Sequence, residues 1–190
     1  MSKQHLVLSA LAIIFLFSSC TNAQTPKTNN EMKVLVTYFS ATGTTKAVAE
    51  KLSKITNADI YEIKPEVPYT SADLDWHDKE SRSTIEMQDK NSRPAIADKN
   101  AKIENYDVIY VGFPIWWYVA PTIINTFLES YDFSEKTVIL FATSGGSGFG
   151  KTVEDLKGSC SPKTIIKEGK VFSGHPTETD IEAWVKSMKD

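Results

Sequence analysis

The protein has 190 residues, close to the length of about 150 residues that is typical of one domain, so we expect a single domain with its own core. Hydrophobic residues make up 41% and charged residues 24%, a balance that excludes a largely disordered, collagen-like or polytopic membrane protein. The formal net charge of −3 excludes the strongly basic surface on which nucleic-acid binding depends. Three histidines, at positions 5, 77 and 175, cannot form a multi-histidine metal site without several carboxylates.

Residues 1–19 have the pattern of a signal peptide. Lys3 supplies a positive start, and Leu6–Phe17 is a run of apolar or small residues. As a helix this run would rise only about 18 Å, which is too short to span a bilayer. Cys20 follows two serines, a pattern that resembles the lipobox of bacterial lipoproteins, in which the cysteine is acylated. The pattern predicts an exported protein that faces the periplasm and contacts the membrane only through a lipid on Cys20; ordinary signal cleavage near Ala23 is the alternative.

Residues 20–31 show no apolar period and are predicted to be a flexible linker, which is followed by a domain from residue 32 to 190. In this domain, β-rich apolar runs predict strands at Met32–Phe39, Ala58–Ile63, Tyr106–Phe113 and Thr137–Thr143, and a short, irregular fifth strand from Thr164–Ile166 with Val171–Phe172. Amphipathic patterns predict helices over Thr44–Ile55, from Pro121, from Thr152, and at the end of the chain, where Thr179 and Glu182 have capping-box spacing. The alternation predicts an α/β fold, a parallel sheet covered by helices on both faces.

The 42-residue segment 64–105 interrupts this alternation, because it is polar, contains three prolines and has only one possible helix, around Lys79–Lys90. A segment of this length is predicted to fold over one edge of the sheet. Trp76 and His77 lie in it. We expect them to be partly buried packing residues, and the alternative is a pair that covers a cofactor.

Ligands of open α/β sheets bind beyond the carboxyl ends of the strands, so the loops after the first, third and fourth strands are the candidate site. The first loop, Ser40-Ala41-Thr42-Gly43-Thr44-Thr45, has four hydroxyls and one glycine where a helix begins. Unpaired N–H groups and the positive end of the helix dipole favour an anion there. This loop predicts a phosphate site at Ser40, Thr42, Gly43, Thr44 and Thr45, with simple capping of the helix by one hydroxyl as the alternative.

The loop after the third strand places three large aromatic residues in succession between two prolines. They are difficult to bury together in one small core, and they are able to form a wall for a flat heteroaromatic ring. The wall is predicted to consist of Pro114, Ile115, Trp116, Trp117 and Tyr118. In the alternative arrangement, one tryptophan faces the core and the other covers the sheet edge.

The loop after the fourth strand matches the P-loop pattern, with Gly145, Gly150, Lys151 and Thr152 at the required spacing, and taken alone it predicts a nucleotide hydrolase. However, only 38 residues follow Thr152, and they include no apolar strand that ends in a Mg²⁺-binding Asp. The apparent signal peptide would also place the domain outside the ATP-rich cytoplasm. The same loop is therefore interpreted as a rim of backbone hydrogen-bonding groups around a ring, formed by Ser144, Gly145, Gly146, Ser147 and Gly148.

Together, the three loops resemble those of the flavodoxin family, which binds FMN. Ser40-x-Thr42-Gly43-x-Thr45 matches the phosphate loop of that family, and Gly112-x-Pro114-x-Trp116 is similar to the loop whose tryptophan stacks on the isoalloxazine. Phe149 follows a glycine where many flavodoxins have a tyrosine that covers the opposite face of the ring. The resemblance extends over residues 32–189 and is closest to the flavodoxin-like proteins of Bacteroides-type bacteria. It implies a doubly wound, five-stranded parallel sheet of order 2-1-3-4-5 in three α/β/α layers, with FMN as the cofactor.

The resemblance implies electron transfer through bound FMN to a redox partner protein or a small-molecule acceptor. Two features depart from the family. Removal of the predicted signal peptide removes Lys3 and leaves 20 basic and 24 acidic residues, a net charge of −4. This charge gives little of the electrostatic steering that is typical of acidic shuttle flavodoxins. Trp117 and Tyr118 follow the stacking tryptophan, where flavodoxins commonly have turn-tolerant residues whose peptide hydrogen-bonds flavin N5 during one-electron chemistry; bulky residues resist the positive φ required.

These departures favour an FMN-dependent NAD(P)H or quinone reductase as the alternative function. A third possibility is a tethered binding module that kept the fold and lost the cofactor. No side chain is assigned as a catalytic acid, base, nucleophile or metal ligand, because the flavin itself carries the redox chemistry.

Overall fold

The computed structural model describes residues 32–188. The predicted signal peptide (1–19), the lipidation site at Cys20 and the linker (20–31) lie outside this range. Within it, five strands form one parallel sheet: β1 (Val34–Tyr38), β2 (Asp59–Glu62), β3 (Val108–Pro114), β4 (Thr137–Thr143) and β5 (Ile165–Phe172). The strand order is β2-β1-β3-β4-β5, which confirms the predicted order 2-1-3-4-5.

Helices cover both faces of this sheet, because successive side chains of each buried strand point to opposite sides. Five α-helices are described: α1 (Thr44–Thr56), α2 (Arg82–Gln88), α3 (Ile123–Glu129), α4 (Thr152–Lys157) and α5 (Glu178–Ser187). Leu35 of β1 belongs to the core shared with α3 and α4, and the adjacent Val36 belongs to the core shared with α1 and α5. The predicted three-layer α/β/α arrangement is therefore confirmed. None of the helices within residues 32–188 is both long enough and apolar enough to cross a membrane.

Strand β5 differs from the prediction, because it runs without interruption from Ile165 to Phe172. Its pairing with β4 skips one residue, Gly169, between Glu168 and Lys170. A Cβ atom at Gly169 would lie 2.2 Å from the carbonyl oxygen of Leu140, so only glycine fits this β-bulge. The charged residues on either side of Gly169 obscure the strand pattern, and they are tolerated because β5 is an edge strand.

The last helix begins two residues earlier than the predicted capping box implied. Thr177 is the N-cap residue, and its Oγ1 accepts a hydrogen bond from the Asp180 N–H at 3.2 Å. In return, the Thr177 N–H donates to Asp180 Oδ2 at 2.9 Å. The assignment of the box to Thr179 and Glu182 was therefore wrong, because the motif occurs twice in overlapping positions and the earlier copy caps the helix.

The segment 64–105 starts at the end of the edge strand β2 and returns to it. Its two ends pair through hydrogen bonds from the Glu66 N–H to the Ala95 oxygen and from the Ala97 N–H to the Lys64 oxygen, both 2.8 Å. Its helix α2 spans Arg82–Gln88, which is shorter than the predicted Lys79–Lys90. Between its paired ends, the segment reaches the loops at the carboxyl ends of the strands, where it takes part in the site described next.

Candidate functional site

A cavity of about 470 Å³ lies at the carboxyl ends of β1 and β3, where the predicted loops meet. This volume is within the range of about 300–1,000 Å³ that small-molecule sites occupy. Nine of the predicted site residues line it: Ser40, Thr42, Thr45, Pro114, Ile115, Trp116, Trp117, Tyr118 and Ser147. Six others lie in the same three loops but not in the cavity wall: Gly43, Thr44, Ser144, Gly145, Gly146 and Gly148.

The loop after β1 leaves the hydroxyls of Thr42 and Thr44 exposed to a ligand. Gly43 occupies the N-cap position of α1 with φ +89°, a left-handed conformation that favours glycine, and no side chain caps the helix. The hydroxyls of Thr42 and Thr44 are exposed, 3.3 Å from each other. Simple capping by one hydroxyl, the alternative considered for this loop, is therefore not what these residues do. The first N–H groups of α1 have no partner within the helix and favour an anion.

Thr45 has a different environment from the other hydroxyls of this loop. Its side chain is buried, and its Oγ1 lies 2.8 Å from Oγ1 of Thr143 at the end of β4. A hydroxyl is able to donate one hydrogen bond while it accepts another, so this contact does not prevent Thr45 from binding a ligand in the cavity. The Thr45–Thr143 pair joins the first loop to the end of β4 and fixes the cavity floor.

The aromatic loop after β3 contains a tight two-residue turn. Trp116 and Val119 exchange two backbone hydrogen bonds of 3.0 Å, so Trp117 and Tyr118 occupy the two central positions. Their φ angles are +44° and +69°, the pattern of a type I′ turn. The expectation that these bulky residues would resist positive φ is therefore wrong for this loop, because the Trp116–Val119 pairing forces both into the left-handed region. Such residues typically store about 1–3 kcal/mol of strain each.

Trp116 is held firmly beside the cavity. Its ring meets those of Phe39 and Tyr69 edge to face, with centroid distances of 5.6 and 5.4 Å. Trp117 and Tyr118 are 40% and 72% exposed at the cavity mouth. The loop therefore combines one tryptophan that is packed on the core and also lines the cavity with two aromatic residues at the rim.

The loop after β4 contributes less than predicted. Oγ of Ser144 accepts hydrogen bonds from the N–H groups of Gly146 (3.2 Å) and Ser147 (2.8 Å), which shapes the loop, and only Ser147 lines the cavity. Phe149 is 5% exposed and packs against Phe113, with a centroid distance of 6.2 Å. The expectation that Phe149 covers a ring was therefore wrong, because its side chain belongs to the core.

The P-loop interpretation of this segment also fails on the position of Thr152. The side chain is fully buried, and its Oγ1 accepts a hydrogen bond from the Ala120 N–H at 3.1 Å. A P-loop threonine instead directs its hydroxyl to Mg²⁺. Thr152 therefore connects α4 to the aromatic loop, and its hydroxyl is not directed to a ligand.

A fourth wall comes from the segment 64–105, which the sequence connected with a cofactor only through the alternative role of Trp76 and His77. Leu74, Trp76 and Ser83 line the cavity, and Trp76 is 66% exposed. The expectation of a partly buried Trp76 was therefore wrong. The Trp76 ring lies against that of His77, with a centroid distance of 3.4 Å and a tilt of 34° between the ring planes. Ala41 is a further lining residue that was not predicted.

This wall is anchored through Tyr69. The Tyr69 ring packs against Phe39 and Trp116, and the guanidinium of Arg82 lies 3.9 Å above it. The Tyr69 hydroxyl donates to Glu86, whose other oxygen accepts from Arg82 Nε at 2.6 Å. Burial, and then the hydrogen bond to Glu86, raise the pKa of Tyr69, so the hydroxyl stays protonated and the contact persists at neutral pH.

The described lining of the cavity contains no Asp, Glu, Lys, Arg or His. An anionic group in this cavity must therefore be stabilised by backbone N–H groups, hydroxyls and the α1 dipole rather than by a cationic side chain. The larger part of the wall is apolar and aromatic, which suits a flat ring.

The chain is similar to known flavoproteins. The family profile described as Flavodoxin matches residues 33–188. A candidate flavoprotein from Bacteroides eggerthii is 49% identical, over 84% of this chain and 99% of that chain, with a TM-score of 0.76. One from Bacteroides uniformis is 48% identical, over 82% of this chain and 98% of that chain, with a TM-score of 0.77.

The FMN complex of a flavoprotein from Lactobacillus acidophilus is 25% identical, over 81% of this chain and 99% of that chain, with a TM-score of 0.59. No curated protein sequence matches the chain. The family match and the FMN complex support the predicted cofactor. Since the profile extends over nearly all of the described residues, and the sheet order is the one the resemblance implied, the chain belongs to the flavodoxin family.

Proposed function

We propose that this protein binds FMN and transfers electrons through it. The observation that carries the proposal is the single cavity that joins the hydroxyl-rich loop before α1 to the aromatic wall of Trp116–Tyr118. A phosphorylated molecule with a flat ring has one end suited to each of these two surfaces. FMN, when bound, supplies the redox chemistry, and the residues of the chain bind, orient and shelter it.

The phosphate end of the proposed site consists of Ser40, Thr42, Gly43, Thr44 and Thr45. Ser40 Oγ accepts from the Gly43 N–H at 3.1 Å and thereby holds the loop in its curved shape. The dipole of α1 contributes about 0.3–2 kcal/mol to the binding of an anion at this position. Since no cationic side chain of residues 32–188 lines the cavity, N–H groups and hydroxyls carry most of the phosphate binding in this proposal.

The ring end depends on Trp116. Phe39 and Tyr69 fix its orientation before a ligand arrives, so little conformational entropy is lost when a ring stacks on it. A stacked aromatic pair contributes about 0.5–1.5 kcal/mol beyond the burial of its surface. Ser147 offers a polar group beside this wall.

Within this proposal, an electron carrier is the first candidate and an FMN-dependent NAD(P)H or quinone reductase is the second. The positive φ values of Trp117 and Tyr118 remove the backbone argument against one-electron chemistry that the sequence suggested. The reductase is favoured by the cavity mouth, where Trp76, Trp117 and Tyr118 are exposed around an uncharged lining that suits a small, flat acceptor.

The test is an absorbance spectrum of the purified protein after incubation with FMN and gel filtration. Flavin bands that elute with the protein support the proposal, and colourless protein supports the binding module that lost its cofactor. Trp116→Ala is expected to weaken FMN binding, whereas the matched variant Trp116→Phe retains much of it. If anaerobic reductive titration shows that the bound flavin is reduced in two one-electron steps, the result supports the carrier. Steady turnover of NAD(P)H with a quinone supports the reductase.

We also propose that the protein is exported and tethered by a lipid on Cys20, so that the flavin domain faces the periplasm. The proposal rests on the residues at the start of the chain. Cys20→Ser in the full chain is expected to move the protein from the membrane fraction to the soluble periplasmic fraction. Release of the unsubstituted protein into the soluble fraction would instead support ordinary cleavage near Ala23.

A further inference from the structure

Ser83 lines the cavity and carries a buried hydroxyl that has no hydrogen-bond partner among the described residues. Its side chain is 2% exposed and lines the cavity, and its Oγ has no hydrogen-bond partner among residues 32–188. A buried hydroxyl without a partner is costly to a protein, so such groups call for an explanation.

Within α2 and its N-cap, the hydroxyl without a partner is that of Ser83 alone among the buried hydroxyls of Ser81, Ser83 and Thr84. The Ser81 Oγ caps the helix by accepting from the Thr84 N–H, and it lies 2.9 Å from the Thr84 Oγ1. Both of these side chains are buried and paired, and neither lines the cavity. Of Ser81, Ser83 and Thr84, the residue that lines the cavity is therefore the one whose hydroxyl has no partner among the described residues.

The position of Ser83 is fixed by its surroundings. Its N–H donates to the Asp73 oxygen at 2.9 Å, and Asp73 in turn accepts from the Thr70 N–H at 2.8 Å. The preceding residue, Arg82, is held by Glu86 and by the Tyr69 ring. These contacts hold Ser83 in the cavity wall.

We infer that the Ser83 hydroxyl is a hydrogen-bond partner of the bound cofactor and that the segment 74–83 forms a fourth binding wall. This inference rests on the proposed binding of FMN. The contact is made to the isoalloxazine ring or the ribityl chain, because the phosphate has its own hydroxyls in the loop before α1. Leu74 and Trp76 are the other residues of this wall, and both present apolar surface. Ser83 is therefore the residue of this wall that supplies a hydroxyl.

The test compares Ser83→Ala with the matched variant Thr84→Ala, which removes a paired hydroxyl from the same helix. The dissociation constants for FMN and for riboflavin are measured by fluorescence titration, and the stability of the cofactor-free proteins by thermal unfolding. Loss of one ordinary hydrogen bond corresponds to a rise of about 2- to 12-fold in the dissociation constant. Ser83→Ala is expected to show this rise for both ligands, with a melting temperature equal to or above that of the unsubstituted protein.

Thr84→Ala is expected to behave in the opposite way, with a lower melting temperature and unchanged dissociation constants. The inference would be overturned if Ser83→Ala had unchanged affinity or a lower melting temperature. It would also be overturned if Thr84→Ala lost as much affinity as Ser83→Ala. A loss confined to FMN would assign the contact to the phosphate and would overturn it as well. If the unsubstituted protein binds neither FMN nor riboflavin, the proposed function fails, and the inference fails with it.

Discussion

Gly150 supports the strained turn of the aromatic loop, which makes Gly150→Ala a sharp test of the site. A Cβ atom at Gly150 would lie 2.3 Å from the carbonyl oxygen of Tyr118, and the φ of Gly150 is +54°. The left-handed conformation costs an alanine about 1–2 kcal/mol. Relief of the contact requires a backbone shift that costs about 1–3 kcal/mol more. We therefore expect Gly150→Ala to lower the free energy of unfolding by about 2–5 kcal/mol.

The same substitution should weaken FMN binding, because the Tyr118 carbonyl moves and carries the Trp117–Tyr118 turn with it. Urea unfolding of the cofactor-free protein gives the stability, and fluorescence titration gives the FMN dissociation constant. Gly158→Ala is the matched control at the other end of α4: its φ is −67°, and no atom lies within 4 Å of the added Cβ. It should leave FMN binding unchanged and stabilise the protein by about 0.4–1 kcal/mol.

Two results would refute this reasoning. Stability close to that of the unsubstituted protein would show that the turn accommodates a side chain at Gly150 without strain. A destabilised Gly150→Ala variant with unchanged FMN affinity would show that the turn moves independently of the cofactor site.

Three further predictions concern other parts of the molecule. Trp76→Ala should change the free energy of unfolding of the cofactor-free protein by no more than about 0.5 kcal/mol, since the side chain is 66% exposed. The same substitution should raise the FMN dissociation constant. An unchanged dissociation constant would exclude Trp76 from the site. Arg93 donates to Glu129 and holds the pKa of that carboxyl below its ordinary value. Arg93→Gln should therefore lower the free energy of unfolding above about pH 4.5. Urea unfolding at a series of pH values should show that the stability difference between the two proteins disappears as the pH falls through the folded-state pKa of Glu129. Glu129 is 39% exposed, so the loss is only about 0.2–1 kcal/mol. Burial, and then Glu129, raise the pKa of Cys160 to about 11, so iodoacetamide should alkylate it at pH 8 about a hundredfold more slowly than an exposed thiol, as peptide mass mapping would show.

Much of the fold was predictable because the central strands are buried on both faces. Strands such as β3 and β4 then appear in the sequence as continuous apolar runs, and their alternation with helices predicts a parallel sheet. The strand order came from the resemblance to the flavodoxin family. β5 was less predictable, since it is an edge strand and its bulge depends on the approach of Gly169 to the Leu140 carbonyl. That contact joins two paired strands, so no local sequence pattern predicts it.

The candidate site was predictable only where it follows the strands. The loops after β1 and β3 lie at the cavity because the carboxyl ends of parallel strands meet there. Ser83 was missed, and a cofactor-covering role for Trp76 was only the alternative, because their segment is polar and aperiodic. Its position depends on the packing of Tyr69 against Phe39 and Trp116, which are distant in sequence. Phe149 was misassigned for the converse reason, since its place in a glycine motif did not reveal its burial against Phe113.

The Trp117–Tyr118 turn shows why residue type alone is a poor guide to flavin chemistry in this loop. Two bulky residues adopt positive φ because three contacts act together: the two Trp116–Val119 hydrogen bonds and the backbone of Gly150 against the Tyr118 carbonyl. The strain of about 1–3 kcal/mol per residue persists only while these contacts hold, so it is available to be released when the turn changes conformation. The positive φ values of Trp117 and Tyr118 remove the backbone argument against one-electron chemistry in the proposed function. If Gly150→Ala relaxes the turn, it should therefore change the separation of the two one-electron potentials as well as the affinity, which would connect the turn to the choice between carrier and reductase.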